Sequence, residues 1–331
     1  MVKRMNKELK NVKILGTGSY VPEKIVTNDD LSKIMDTSDE WIYSRTGIRE
    51  RRISEGENTS ELAAKAALEA IKSSGINVEE IDLLIVATCS PDMFVPSTAC
   101  LVQASIGAVN ATCFDISAAC TGFIYGLNIA TQFIRTGQSK TALVIGAEVL
   151  SKMLDWNDRS TCVLFGDGAG AAILTDSEEE GVGSIFTKSD GVKGLVLKCE
   201  ALDVINPYAS AKERTTSYLS MEGGEVFKFA VKAMEESVQN VLSSSGCSIE
   251  DIKLIIPHQA NKRIIDTCVK RLKVDESKFY VNLHNYGNTS AASIPIAFDE
   301  VMKKGLIQKG DKVILVGFGG GLTWGAALIS F

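Results

Sequence analysis

Histidine is almost missing from this chain of 331 residues, which carries only His258 and His284. Imidazole chemistry therefore has very few candidates, and a histidine-rich metal site has none. The eight cysteines fall at positions 89, 100, 113, 120, 162, 199, 247 and 268, with no Cys-x-x-Cys pair and no crowding into one short loop. Neither a zinc site nor a disulfide framework is indicated, no metal is expected, and a reducing compartment fits. No apolar run approaches the roughly 20 residues of a membrane span. The first ten residues, Met1–Lys10, are too charged for a secretory leader, so the cytoplasm is the expected location and no membrane partner is expected. There is no Gly-x-x-x-x-Gly-Lys-Ser/Thr run, which leaves nucleotide hydrolysis unsupported. Gly166-Asp-Gly-Ala-Gly170 lacks the full Gly-x-Gly-x-x-Gly spacing and its strand–helix setting, so no nicotinamide or flavin cofactor is expected. Against 41 acidic residues stand 35 basic ones, and a formal charge of −6 argues against nucleic acid as a bulk partner.

What the chain does have is a 45% hydrophobic composition, enough for a sizeable core, and an internal echo. Ser73-Ser-Gly-Ile-Asn-Val-Glu-Glu-Ile-Asp-Leu-Leu-Ile-Val returns as Ser244-Ser-Gly-Cys-Ser-Ile-Glu-Asp-Ile-Lys-Leu-Ile-Ile-Pro, an offset of 244 − 73 = 171 without a gap. Lys140–Gly146 and Asp311–Gly317 share that offset, since 317 − 146 = 171. Each unit reads as helix, short loop and buried apolar strand, which predicts an α/β fold of two duplicated halves. The acidic, glycine-containing stretch from Asp176 to Gly183 marks the join, giving an N-terminal half over residues 1–180 and a C-terminal half over residues 181–331. The offset carries position 258 onto 87 and position 288 onto 117, just before Cys120. A pseudo-twofold axis would bring the loops around 117–120 and 288–291 face to face, with His258 beside them.

Cys120 sits where an apolar stretch, through small residues, becomes a helical pattern. A helix start offers unpaired N–H groups and a positive dipole end, which favour a thiolate nucleophile there. Alone, such a cysteine reads first as a small buried hydrophobe, and it is the company it keeps that reverses this. His258 follows the run Leu254-Ile-Ile-Pro at a similar junction and, alone, would be structural. Asn288 lies among turn and capping residues, where its local role is a helix cap. Gly317-Phe-Gly-Gly-Gly-Leu-Thr-Trp-Gly325 lets backbone N–H groups approach a substrate oxygen, and tight sheet packing explains it as well.

Taken together, Thr37-Ser-Asp-Glu-Trp-Ile42, Arg45-Thr-Gly-Ile-Arg49, the Cys120 block, Phe165–Gly170, His258-Gln-Ala-Asn261, Gly287–Ser293 and Phe318–Gly325 resemble the β-ketoacyl-[acyl-carrier-protein] synthase III family across nearly the whole chain. The resemblance implies a thiolase-like fold of five layers, α-β-α-β-α, and a homodimer. It implies an acyl-coenzyme A primer, malonyl-acyl-carrier protein as second substrate, coenzyme A as substrate and not cofactor, and fatty-acid initiation as the pathway. It makes Cys120 the nucleophile, with His258 and Asn288 as donors to the decarboxylation enolate and the Gly320 backbone in the oxyanion hole. Trp41 and Arg159 would sandwich adenine with Thr37 at its edge, Arg45 and Arg263 would meet phosphates, and Gly223, Phe227, Asn261 and Phe318 would line the tunnel. Gln259, Ala260, Lys262, Arg263, Lys228, Lys270 and Arg271 would form a carrier-protein rim. Met93-Phe-Val-Pro resembles the segment that closes the partner subunit's acyl pocket. Val95 stands where some relatives carry phenylalanine, so either Phe94 or Val95 would line it.

Rival readings are a secondary-metabolite condensing enzyme, a hydroxymethylglutaryl-coenzyme A synthase, a non-catalytic paralogue and a cysteine hydrolase. The synthase would need an acidic glutamate near the cysteine, and only Glu79 and Glu80 lie between Glu69 and Cys120. A non-catalytic paralogue would be expected to have lost part of the Cys120, His258 and Asn288 trio. The stretch 191–221 lacks periodicity and is expected to loop over the tunnel, leaving primer length and branching open.

Overall fold

Strand Leu83–Ala87 is buried at every residue because it is the middle of a parallel run, flanked by Thr112–Ile116 on one side and Thr141–Glu148 on the other. A strand covered on both faces must be apolar on both faces. The computed structural model describes residues 9–209 and 217–331; residues 1–8, within the charged N-terminal segment, and 210–216, within the stretch 191–221, lie outside the described residues. Gly168–Ser177 and then Asn11–Tyr20 complete the first sheet in antiparallel fashion. The second sheet repeats the plan: Ile252–Pro257 runs parallel to Lys312–Gly319, which pairs antiparallel with Thr323–Ser330 and through it with Val182–Ser189. The two edge strands begin at 11 and 182, and the two central strands at 141 and 312, both 171 apart.

The layers follow from the two-residue alternation of side chains along a strand. Leu83 and Ile85 face inward with Leu254, Ile256, Val313 and Leu315, against helices Gly122–Arg135 and Ser293–Lys303 that fill the space between the sheets. Leu84 and Val86 face the other way, under the outer helices Thr59–Ser74 and Thr98–Ile106. Ile255, Ile314 and Val316 do the same under Gly223–Ser245 and Lys262–Leu272. The result is the five-layered α-β-α-β-α arrangement. The sequence echo has a local cause as well: Gly75 and Gly246 end the first and third of these outer helices in the left-handed conformation, a stop that glycine makes without steric cost. The duplication is incomplete, since the counterpart of strand Thr112–Ile116 is the short helix Leu283–Tyr286.

Two non-glycine residues share a rare backbone state at equivalent places. Ala119 has φ +44° and Ser290 has φ +48°, and 290 − 119 = 171. Each begins a tight helical turn, Ala119–Thr121 or Ser290–Ala292, that feeds directly into a central helix. Left-handed backbone at a non-glycine residue costs of order 1–3 kcal/mol and persists only where the surroundings enforce it. Each turn is clamped by the other half of the molecule. A Cβ on Gly146 would meet the Ala291 carbonyl oxygen at 2.2 Å, and one on its repeat partner Gly317 would lie 3.5 Å from the Cys120 carbonyl oxygen.

Candidate active site

Cys120 is the second residue of the Ala119–Thr121 turn, 6% exposed and held against the end of strand Lys312–Gly319. A side chain at Gly319 would stand 2.6 Å from the Cys120 backbone nitrogen, so this glycine is what lets the end of this strand approach Cys120. Gly320 follows in the hairpin turn, against Ala119 and Leu197. Burial pushes the Cys120 thiol up to about 12; a hydrogen bond with Ser290 works against that rise and the Glu148 charge adds to it. Burial therefore works against the thiolate that a helix start favours.

His258 extends from the carboxyl end of strand Ile252–Pro257, with its backbone N–H donated to the Val316 carbonyl at 2.8 Å and its ring edge-on to Phe318, 5.1 Å between centroids. Burial alone drives its pKa down to about 3, so the imidazole is neutral. Nδ1 lies 2.6 Å from Ser293 Oγ, while Nε2 has no protein partner among the described residues. Asn288 is fixed by its backbone: its N–H donates to Leu164 O at 2.8 Å, and its carbonyl accepts from Gly166 N–H at 3.0 Å. The Ser290 N–H donates to Asn288 Oδ1 at 2.9 Å, which leaves the Nδ2 donors free among the described residues.

Two cavities meet at the sulfur. A narrow one of about 150 Å3 contains Cys120, His258 and Asn288, with Phe318 and Gly319 in its wall and Gly223, Phe227, Ala260 and Asn261 toward its mouth. A wider one of about 580 Å3 also reaches Cys120, with Leu150, Met153, Leu195, Leu197 and Leu219 in its wall and neither His258 nor Asn288. Phe94 and Val95, 73% and 83% exposed, line neither cavity of their own chain.

At the surface, the Arg45 and Arg159 guanidinium carbons lie 4.6 and 5.1 Å from the Trp41 ring centroid. A ring inserted between Trp41 and Arg159 would need two contacts of about 3.5–4.0 Å, so the gap is closed here. Arg159 is tied to Asp36, and Thr37 Oγ1 has no hydrogen-bond partner among the described residues. Asn261 caps helix Lys262–Leu272 by accepting from Arg263 N–H at 2.9 Å, and donates through Nδ2 to Arg45 O at 3.1 Å.

The expected carrier-protein rim needs correction. Gln259 is 1% exposed, donating to the Pro257 and Tyr280 carbonyls and accepting from the Asn282 and Leu283 N–H groups, so it braces the His258 loop from inside. Ala260 belongs to the wall of the narrow cavity. Lys262 pairs with Asp266 and Glu276, Lys228 with Glu225, and Arg271 with Glu235. Arg263 and Lys270 are exposed and, among the described residues, have no ion-pair partner.

One carboxyl group near the site escaped the sequence reading. Glu148 is fully buried at the end of strand Thr141–Glu148, where it accepts hydrogen bonds from Thr88 and Ser90 hydroxyls, the Cys89 and Ser90 N–H groups and the Cys89 thiol. Desolvation raises its pKa, and these bonds lower it in part. It is 28 residues beyond Cys120, outside the stretch between Glu69 and Cys120, and its donors turn it toward Cys89 and Ser90.

A duplicated five-layered fold with cysteine, neutral histidine and asparagine converging on a buried tunnel defines a thiolase-fold condensing enzyme, an acyltransferase. Family models described as 3-oxoacyl-[acyl-carrier-protein (ACP)] synthase III and its C-terminal region match residues 114–191 and 242–331. The chain is 64% identical over 321 residues to the β-ketoacyl-[acyl-carrier-protein] synthase III of Clostridium novyi, covering 97% of this chain and 99% of that one. It superposes on the crystal structure of 3-oxoacyl-[acyl-carrier-protein] synthase III from Aquifex aeolicus with a TM-score of 0.91 and 48% identity, over 97% and 100% of the two chains. The priming β-ketosynthase of the R1128 polyketide pathway gives 0.91 at 34% identity, over 99% and 98%. The chain belongs to the β-ketoacyl-[acyl-carrier-protein] synthase III family, the condensing enzymes that initiate fatty-acid synthesis.

Proposed function

We propose that this chain transfers an acyl group from a primer acyl-coenzyme A to Cys120 and condenses it with malonyl-acyl-carrier protein, releasing CO2 and a β-ketoacyl-carrier protein. The observation that carries this reading is the placement of Cys120 where two cavities join, with His258 and Asn288 on one side only. In the first half-reaction the sulfur attacks the thioester carbonyl, the oxyanion is held by the Cys120 and Gly320 N–H groups, and the thiol proton ends on the departing coenzyme A. The acyl chain then occupies the wide apolar chamber. Malonyl thioester enters from the narrow side, its carboxylate leaves as CO2, and the electron pair becomes an enolate whose oxygen takes hydrogen bonds from His258 Nε2 and Asn288 Nδ2. Attack on the acyl-cysteine forms the new C–C bond and returns the electron pair to sulfur, which takes a proton from water to restore the thiol.

On this reading, the tunnel mouth holds coenzyme A by Trp41, Arg159, Thr37, Arg45 and Arg263, with Arg159 swinging off Trp41 to admit adenine. The exposed apolar segment Met93–Val95 pairs with a second copy, closing that copy's acyl chamber. Incubation with a panel of acyl-coenzyme A primers, read by intact-protein mass, is expected to give one adduct, with short straight or branched chains ahead of long ones; no adduct from any primer would count against the reading. Carrier protein docks on Arg263 and Lys270, the two rim cations not already neutralised by a neighbour. Arg263→Glu is expected to raise the apparent KM for malonyl-carrier protein about tenfold and flatten its salt dependence, measured by condensation kinetics across ionic strength. An unchanged KM would take Arg263 out of that role.

A further inference from the structure

Ser293 is the first residue of the central helix Ser293–Lys303 and is 2% exposed, as deeply buried as His258 itself. Its Oγ stands 2.6 Å from His258 Nδ1, and the Gln259 backbone N–H points at the same oxygen from 3.4 Å. A hydroxyl has one proton to give and two lone pairs to receive with. If Nδ1 carried the imidazole proton, Ser293 Oγ would face two N–H donors while its own proton lacked any acceptor among the described residues. If the hydroxyl donates to Nδ1, every group in the triangle is served. The tautomer of a neutral histidine is set by the bond its far nitrogen makes.

We propose that Ser293 is a positioning residue whose hydroxyl donates to His258 Nδ1 and thereby keeps the ring proton on Nε2, the nitrogen that faces the narrow cavity. The assignment deepens the condensation reading and rests on it for its catalytic consequence. An Nε2–H is a donor, and only a donor can stabilise a developing enolate oxygen; the other tautomer would offer that oxygen a lone pair. The surroundings keep the ring from escaping the choice by taking a second proton. Phe318 lies edge-on to the ring, and no carboxylate hydrogen-bonds to either ring nitrogen among the described residues. Gln259 contributes through its backbone: its side chain, locked by four hydrogen bonds, holds the loop so that its N–H fills the second position on Ser293 Oγ.

Having only two histidines makes the ring nitrogens directly observable. In 15N-labelled protein, long-range 1H–15N correlation spectra at neutral pH report which nitrogen of each ring is protonated, and His284→Gln, altering an exposed residue, identifies the His258 signals. Wild type is expected to show His258 as the Nε2–H tautomer. Ser293→Ala is expected to introduce the Nδ1–H form and to lower condensation relative to Cys120 acylation by at least tenfold, with Ser293→Thr, which keeps the hydroxyl, recovering most of that ratio. An Nδ1–H or doubly protonated His258 in wild type would overturn the proposal, even if Ser293→Ala failed to fold. So would a folded Ser293→Ala that kept a pure Nε2–H signal and an unchanged ratio of the two half-reactions. The spectra need no substrate, so an enzyme without condensing activity but with the Nε2–H tautomer would count against the reaction reading and leave the positioning role standing.

Discussion

Cys120→Ser is expected to show no acyl adduct with any primer under conditions where the wild-type protein gains a single acyl mass, and its overall condensation rate should fall by at least about 10³-fold. The change is one atom in a site that is 6% exposed and clamped by Gly319, so the fold is expected to persist. What is lost is nucleophilicity, since a serine hydroxyl is a far weaker nucleophile than a thiol unless a base activates it. None is in place: His258 has its outward nitrogen protonated on the tautomer argument, and Glu148 is occupied by Thr88, Cys89 and Ser90. Intact-protein mass spectrometry after brief incubation measures this directly. A serine variant that acylated at the wild-type rate would place the nucleophile elsewhere.

His258→Ala and Asn288→Ala should separate the two half-reactions. Both side chains line the narrow cavity, and truncating either to alanine leaves that tunnel open, so the primer should still reach Cys120 and acylation should fall by no more than about tenfold. Condensation should fall by roughly 10²–10³-fold for each, the usual cost of removing one donor from an oxyanion site. The double variant should lose less than the product of the two, because the donors serve one enolate as a unit. With the His258 pKa near 3, the condensation rate should show no inflection from this residue between pH 5 and 8. Single-turnover measurement of CO2 release and of acyl transfer gives both rates from one preparation. Equal loss of both half-reactions in correctly folded variants would contradict the division of labour.

The architecture was legible because it is written in short-range patterns. Ser-Ser-Gly at the ends of helices Thr59–Ser74 and Gly223–Ser245 and the apolar strands Leu83–Ala87 and Ile252–Pro257 that follow encode a helix stop and a doubly covered strand, and both are local properties. The convergence of Cys120, His258 and Asn288 was legible because the repeat offset supplied a symmetry, which turns sequence distance into spatial distance. The rim was not legible. Whether Lys228 or Arg271 offers a free charge depends on Glu225 and Glu235, and whether Gln259 faces out depends on carbonyls at 257 and 280. Those are rotamer and loop decisions taken after the core is packed. Ser293 and Glu148 stayed hidden for a related reason: a serine at a helix start reads as a cap, and a glutamate at a strand end reads as solvated. Only the fold shows one against an imidazole and the other enclosed by five donors.

The paired left-handed turns at Ala119 and Ser290 bear on how such a molecule can change over time. Each turn is gripped by the opposite sheet, so neither half holds its own share of the chemistry in shape. Separated by a cut in the acidic connection, the halves would each leave a backbone turn of order 1–3 kcal/mol above its relaxed state with nothing to enforce it. The nucleophile occupies one turn, and alanine, Ala291, occupies the matching place in the other. The second turn has no sulfur to carry. It instead holds Ser290 against Cys120 and, through the Ser290 N–H, sets the direction of Asn288. Substitutions near one turn should accordingly be tolerated only in company with matching changes in the other half, and the two must be inherited as one unit.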